Sequence, residues 1–551
     1  MSETVEQIVA PSRSSPTLWA RLRERRTLLS SRVTLILITF VILFAVGLNL
    51  FARSPFEINW DLTEYLAVAN NVASGRGFVA FDGTPQIDRP ALTLLLAALL
   101  KSSGGSMVVI AWAVFAGYAL LGSLIFLLGE RLYDWRVGLF ASVLFICSDT
   151  LLVRDAQLID PIWPALVIAA ALASICDTAY NRAAGISAAL LLSLAWLVKI
   201  FAILAFPVPL LAILTSHSRG RITRCFAYCI SFFMILISWF LIRHMWLDAP
   251  AHVLSREERL YAVAFDELMK GHWVADSDAV RLVKLANTPA MPDVTLAGLA
   301  TLAKFFGYGL WMYVAGPDGL IKNLTVPVLC FTATAFIFVR TILNKGRSDV
   351  VIAGLVTVFL PFIALAGAME YRYSQALLVI GCVYLCASAA AVALLDKLVK
   401  PVWVSAIVVG LLSATILQRT TAEWRPRSVF LRTGTERLQI KTFHVFDDLG
   451  RDLSALVDGS AIHLATNNML LGHFLSIKYG SKFILERMPL DYRDAGDWLS
   501  THAPDRIAIS TAQGVSAYPR AQFDSLPGFR SMDIIDKTGY GFLFFERKPP
   551  G

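Results

Sequence analysis

Along most of this chain the apolar residues gather in runs of bilayer length. They fall at 33–51, 106–128, 137–153, 161–176, 184–198, 200–215, 225–243, 321–340, 350–368, 374–395 and 401–418. A helix needs ~20 apolar residues to cross the hydrocarbon layer, so the pattern predicts a polytopic α-helical membrane protein with about eleven transmembrane helices, at most about thirteen. A further run at 91–101 reads as a half-buried helix. One shorter stretch has helical periodicity. Between Asp61 and Ser74 the apolar positions are Leu62, Tyr65, Leu66, Ala69, Val72 and Ala73, one face of an amphipathic helix. Asn59 suits its N-cap, Asp61 and Glu64 its positive end, and Gly75 its stop.

From 420 onward the pattern changes. Short alternating or apolar strands are expected at Ala461–Ala465, Lys482–Leu485, Arg506–Ser510 and Phe542–Glu546, with helices near His444–Leu456 and Asn468–Tyr479. This predicts a small soluble α/β domain. The expected organisation is a flexible cytoplasmic N-terminus over 1–32, a membrane module over 33–419 with outer loops 52–105 and 244–320, and an outer-side domain over 420–551.

Composition removes the soluble alternatives. The chain is 56% hydrophobic and 16% charged, unlike a soluble protein of 551 residues. Its net charge is +8, but Arg21, Arg23, Arg25, Arg26 and Arg32 crowd the approach to the first run. That is an orientation signal and not a nucleic-acid footprint. The first run is long enough to span, has no small-residue cleavage pattern and follows a long polar segment, so it reads as a true anchor. With the N-terminus cytoplasmic, the inside loops are 131–136, 177–182, 217–224, 340–347 and 396–400. Four of these five carry at least two Lys or Arg. All long loops and the C-terminal segment then lie outside. Short inside loops fit a bacterial inner membrane, with the outer side periplasmic.

The seven cysteines lie in or beside apolar runs, and no His or carboxylate completes a tetrahedral set around Cys225/Cys229 or Cys382/Cys386. His244, His252 and His272 lack ligand spacing. No metal site is assigned; a divalent metal is compatible with the chemistry below but not required by it.

On this topology the ionisable residues near span ends converge on the outer side. They are Asp61, Glu64, Asp88 and Arg89 in the first loop, Arg154, Asp155 and Asp160 in the second, Lys199 between two spans, and Glu370-Tyr371-Arg372-Tyr373 at a late junction. Charge at membrane depth is expensive, so such a set marks a site. A carboxylate there can serve as general base, and Arg or Lys can hold a phosphate at the interface. A substrate with a phosphate head and a long apolar tail uses both.

The order of these motifs resembles the GT-C class of integral-membrane glycosyltransferases, and within it the protein O-mannosyltransferase-like and lipid A aminoarabinose transferase families. The motifs are Asp61-x-x-x-Tyr65, Gly75-Arg76-Gly77, Arg89-Pro90, Asp160-Pro161, Leu197-Val198-Lys199 and Tyr371-Arg372-Tyr373. The resemblance covers roughly 33–420 and implies an enzyme that moves a sugar from a polyprenyl-phosphate donor to a lipid, glycan or protein acceptor in the cell envelope, lipopolysaccharide included. It implies Asp61 as catalytic base, with Glu64, Asp155 and Asp160 as supporting acids. Arg89, Lys199 and Arg372 would bind the donor phosphate, and Tyr65, Tyr371 and Tyr373 would contact substrate. The chain departs from the pattern at Leu62, where many relatives carry a second acid; Glu64, on nearly the same helix face, is the candidate substitute.

The competing reading is a transporter or flippase for a lipid-linked or amphipathic substrate. Transporters place polar groups at mid-membrane in paired halves, whereas here the charges sit at outer ends. An assembly or sensor protein leaves the charged set unexplained.

Overall fold

The computed structural model describes residues 60–83, 85–87, 89–147, 159–175, 181–215, 220–246, 349–358, 376–399, 402–424, 441–456, 461–480, 482–489, 492–511, 518–523, 526–534 and 541–548, together with Val41, Lys270, Asp536 and pieces of 299–304 and 334–342. The helices of the first part are α1 (Trp60–Ala73), α2 (Pro90–Ser102), α3 (Met107–Leu132), α4 (Trp135–Ile146), α5 (Ile159–Ile175), α6 (Asn181–Val198), α7 (Pro207–Leu214), α8 (Arg221–Trp246), α9 (Asp349–Val358), α10 (Ala376–Leu398) and α11 (Val402–Trp424). One apolar cluster runs through them from Leu62 to Val409.

Three described helices are long and apolar enough to cross a membrane: Trp112–Leu132, Arg221–Met245 and Gly381–Leu398. Seven shorter apolar helices stand beside them. The expected first span at 33–51 lies outside the described residues except for Val41, as does most of the expected span at 321–340. The expected single span at 200–215 is instead a 3-10 turn over Ile200–Ala205 followed by α7. Pro207 explains the division, because it lacks an N–H and fits only the first turn of a new helix.

The helices meet closely where glycine allows it. An added Cβ on Gly138 would lie 2.3 Å from the Phe126 carbonyl oxygen, so α3 and α4 touch backbone to backbone. Asp134 caps α4 by accepting from the Arg136 N–H at 2.7 Å and from the Val137 N–H at 3.2 Å. At this same end Arg136 donates to both Asp396 oxygens, at 2.7 and 2.9 Å, and to Ser405 Oγ at 2.9 Å. Nearby Tyr133 donates to Asp349, which also pairs with Arg340. Tyr133, Asp134 and Arg136 are thus clamped to Arg340, Asp349, Asp396 and Ser405 at one end of the bundle.

The C-terminal part is an α/β unit: α12 (Lys441–Ala455), β1 (Ile462–Thr466), α13 (Met469–Tyr479), β2 (Phe483–Arg487), α14 (Ala495–His502), β3 (Arg506–Ser510), β4 (Phe529–Ser531) and β5 (Phe542–Arg547). The sheet order is β2-β1-β3-β5-β4, with β2, β1 and β3 parallel and β5 antiparallel to both neighbours. One face packs on α12 and α13, the other on α14. Ligands of such sheets usually sit beyond the strand ends where the order reverses, here between β1 and β3. Asn467 fills that place: its amide donates to the Ser510 carbonyl at 3.0 Å and accepts from the Ser510 N–H at 2.7 Å.

Candidate active site

The helix clamp defines one end of the bundle, and the described candidates Arg89 and Lys199 belong to segments that lead to the other. Pro161, in the first turn of α5, lies against Gly117 in the half of α3 remote from the clamp. The far end of α5 meets the start of α8, where Arg224 donates to the Ser174 carbonyl, and the same Arg224 backbone lies against Gly185 near the start of α6. Helix α6 therefore runs back toward the remote end and delivers Lys199 there. The first loop joins that end too, since α2 leads through residues 103–106 into the first turn of α3.

Within the loop, α1 forms where its apolar spacing requires and stops where Gly75 takes a left-handed φ of 82°. Leu62, Tyr65, Leu66 and Ala69 enter the main apolar cluster. The helix is not amphipathic in place: Thr63, Glu64, Ala67 and Val68 are also buried. Gln86 of the same loop covers Glu64, and toward the C-terminal end of the helix the Asn70 amide donates to the Ser476 carbonyl of the C-terminal unit, contacts that local periodicity does not reveal.

Arg89 is the most constrained of the candidates. It has φ 57° and ψ 54°, a left-handed conformation that costs a non-glycine residue about 1–2 kcal/mol. Two contacts offset this. Its carbonyl accepts from the Thr93 N–H at 3.0 Å, closing the first turn of α2. Its guanidinium carbon stands 4.3 Å from the centre of the Tyr65 ring. Both side chains are buried, Arg89 at 6% and Tyr65 at 7% exposure, so the cation–π attraction acts with little water to weaken it. An arginine kept where glycine would be unstrained marks a position held for its side chain. Glu64, one residue before Tyr65, is buried and accepts from the Gln86 amide.

Lys199 interrupts the chain between α6 and the 3-10 turn, with extended backbone, a side chain at 3% exposure and its ammonium 5.4 Å from the centre of the Phe201 ring. Asp61 and Asp160 occupy the first turns of α1 and α5, with their side chains outside the described residues. Asp155, Tyr371, Arg372 and Tyr373 lie outside the described residues altogether. The structure thus brings Tyr65 and Arg89 together directly, with Glu64 next to Tyr65 in sequence, and places Lys199 and Asp160 toward the same end of the bundle.

Sequence reasoning missed Gln86, the partner of Glu64, and Asn71, whose amide donates to the Val79 and Ala80 carbonyls at 2.8 and 3.1 Å and so folds the loop back on α1. The one available signal was a pair of asparagines inside an otherwise good helix. Among the described residues no group of three His, Cys, Asp or Glu comes together to hold a metal.

No family model matches the chain, and no curated protein matches it in sequence. Solved structures do match. ArnT from Cupriavidus metallidurans, bound to undecaprenyl phosphate, gives a TM-score of 0.55 at 9% identity, over 94% of this chain and 98% of that one. The oligosaccharyltransferase of Archaeoglobus fulgidus, tethered with an acceptor peptide, gives 0.53 at 12% identity, over 93% and 74%. The same enzyme in complex with Zn and sulfate gives 0.52 at 12% identity, over 86% and 68%. At such identities the likeness is one of fold: the chain shares the fold of ArnT and of the archaeal oligosaccharyltransferase.

Proposed function

We propose that the chain is an inverting glycosyltransferase that moves a hexosyl or pentosyl unit from a polyprenyl-phosphate-sugar donor to a hydroxyl of a lipid, glycan or protein. We place the reaction on the periplasmic face of a bacterial inner membrane, with the N-terminus cytoplasmic and the C-terminal unit on the reaction side. The observation that carries the reading is Arg89, strained, buried and stacked on Tyr65, in a chain with the GT-C fold. A fixed guanidinium of this kind suits a phosphate monoanion on a lipid, the chemical class of the undecaprenyl phosphate bound by ArnT.

The step is a single displacement. Asp61 accepts the proton of the acceptor hydroxyl, the acceptor oxygen bonds to the anomeric carbon, and the bond from that carbon to the phosphate oxygen breaks with inversion. The polyprenyl phosphate departs with the electron pair. Arg89, Lys199 and Arg372 stabilise the charge growing on it, an electrostatic role that positioned cations fill at little reorganisation cost. Glu64, Asp155 and Asp160 support the site, and Tyr65, Tyr371 and Tyr373 contact substrate. A phosphate leaves without an acid, so one base suffices. A divalent metal remains compatible with this chemistry, in keeping with the Zn in the oligosaccharyltransferase crystal, but is not required by it.

The test is sugar transfer from a panel of radiolabelled polyprenyl-phosphate sugars to membrane acceptors. Wild type should transfer from at least one donor, and Asp61→Asn at equal expression should lose about 10²- to 10⁴-fold, the usual worth of a general base. Transfer that survives Asp61→Asn moves the base to Asp155 or Asp160. A panel left untouched by wild type removes the reading.

A further inference from the structure

The contact between α13 and the first loop does more than cover a face. Phe81, at the tip of the 78–86 turn, belongs to the apolar core of the C-terminal unit, among Phe446, Leu471 and Phe474. Its ring meets His473 edge-on, centroids 4.9 Å apart at 83°. It also lies directly over Gly472: a Cβ there would sit 2.6 Å from Phe81 Cε2 and 2.7 Å from Cζ. Glycine inside a helix costs about 1 kcal/mol relative to alanine, and the approach of this ring is what the cost accommodates. Further along α13, the Ser476 carbonyl accepts from the Asn70 amide at 3.2 Å, and Ile477 packs on the membrane cluster. So α13 grips α1 at two points, the turn that Asn71 ties back to α1 and Asn70 itself. The other half of α1 carries Asp61, Glu64 and Tyr65.

We propose that Phe81 and Gly472 are positioning residues: the C-terminal unit fixes the height and rotation of α1 through this ring-in-slot contact, and so holds the base and the arginine-stacking tyrosine in register. The proposal rests on the glycosyltransferase reading for its catalytic consequence, and on packing alone for its structural one. A helix end displaced by about 1 Å costs about 10²-fold in rate.

The experiment uses the full-length protein in lipid nanodiscs and reads two quantities, hydrogen exchange of the 60–73 segment and kcat for sugar transfer. Gly472→Ala should speed exchange in α1 and lower kcat by about ten- to a hundred-fold. Combining it with Phe81→Leu, which withdraws the ring edge, should restore both toward wild type. General damage to the C-terminal unit would instead worsen when the second change is added. If Gly472→Ala fails to accumulate, Phe81→Leu alone carries the test, since it empties the slot and should loosen α1. Unchanged exchange in α1, or faster exchange with full kcat, overturns the proposal. A wild type that transfers nothing defeats the functional reading by itself, and the exchange data then decide whether the grip on α1 exists.

Discussion

The stack of Arg89 on Tyr65 makes a quantitative prediction about donor binding. The perturbation is Tyr65→Leu, which keeps an apolar side chain in the main cluster and removes the π face. At 4.3 Å and with both groups buried, the attraction belongs at the upper end of the usual range, about 2 kcal/mol. Losing it frees the guanidinium to leave its bound orientation, while the left-handed backbone at Arg89 keeps its cost. If the whole of that energy serves to present Arg89 to the phosphate, affinity for polyprenyl phosphate falls by about thirty-fold, at 1.4 kcal/mol per ten-fold. Tyr65→Phe keeps the ring and should stay within about three-fold of wild type. The assay is titration of the purified protein in nanodiscs with undecaprenyl phosphate, which needs no knowledge of the sugar. Wild-type affinity in Tyr65→Leu would refute the role of the stack. A Phe variant as weak as the Leu variant would transfer the effect to the phenol oxygen.

Two other perturbations test the scaffold. Arg136→Met removes a guanidinium bonded to Asp134, Asp396 and Ser405; the two carboxylates are each about a third exposed, so the several kcal/mol of a buried pair shrinks to about 2 kcal/mol. The expected outcome is earlier unfolding in a detergent denaturation series, and an unchanged midpoint would count against the clamp. On β5, between Arg506 of β3 and Arg530 of β4, the Glu546 carboxyl is held below the ordinary carboxylate range, first by its hydrogen bond from Arg530 and then by Arg506. A folded value below the unfolded one, about 4.3, means the pairing stabilises fully above that pH and is lost as pH falls from there through the folded value. Proteolytic resistance of the C-terminal unit should therefore separate wild type from Glu546→Gln at pH 7 and converge for the two on acidification.

The sequence made some of this legible, for reasons particular residues show. The apolar face of α1 at Leu62, Tyr65, Leu66 and Ala69 is local information, and it packs as its spacing requires. Lys199 stood out as a charge between two apolar runs and does break the chain there. Strands β1, β2, β3 and β5 lie within two residues of their expected bounds, since each is a short, mostly apolar stretch of five or six residues. Strand β4 has three residues and half-exposed or exposed side chains, too short for any period to register. Helix α14 was missed for a similar reason, with eight residues and few buried ones. The burial of Thr63 and Glu64 had no signal in the spacing of α1, because what buries them lies outside that helix, Gln86 for Glu64 among it. Pro207 carries the division of the 200–215 run, which hydropathy alone does not register.

The ring of Phe81 and the slot at Gly472 are made at very different times. The asparagine and serine that join the same surfaces stand 406 residues apart in sequence. At ~5–20 residues per second, the turn leaves the ribosome roughly 20 to 80 seconds before α13 does. Through that interval the Phe81 ring is without the core that later houses it, and the core of the C-terminal unit is completed by a residue made long before it. A 441–551 fragment made alone would begin life with a hole in its core.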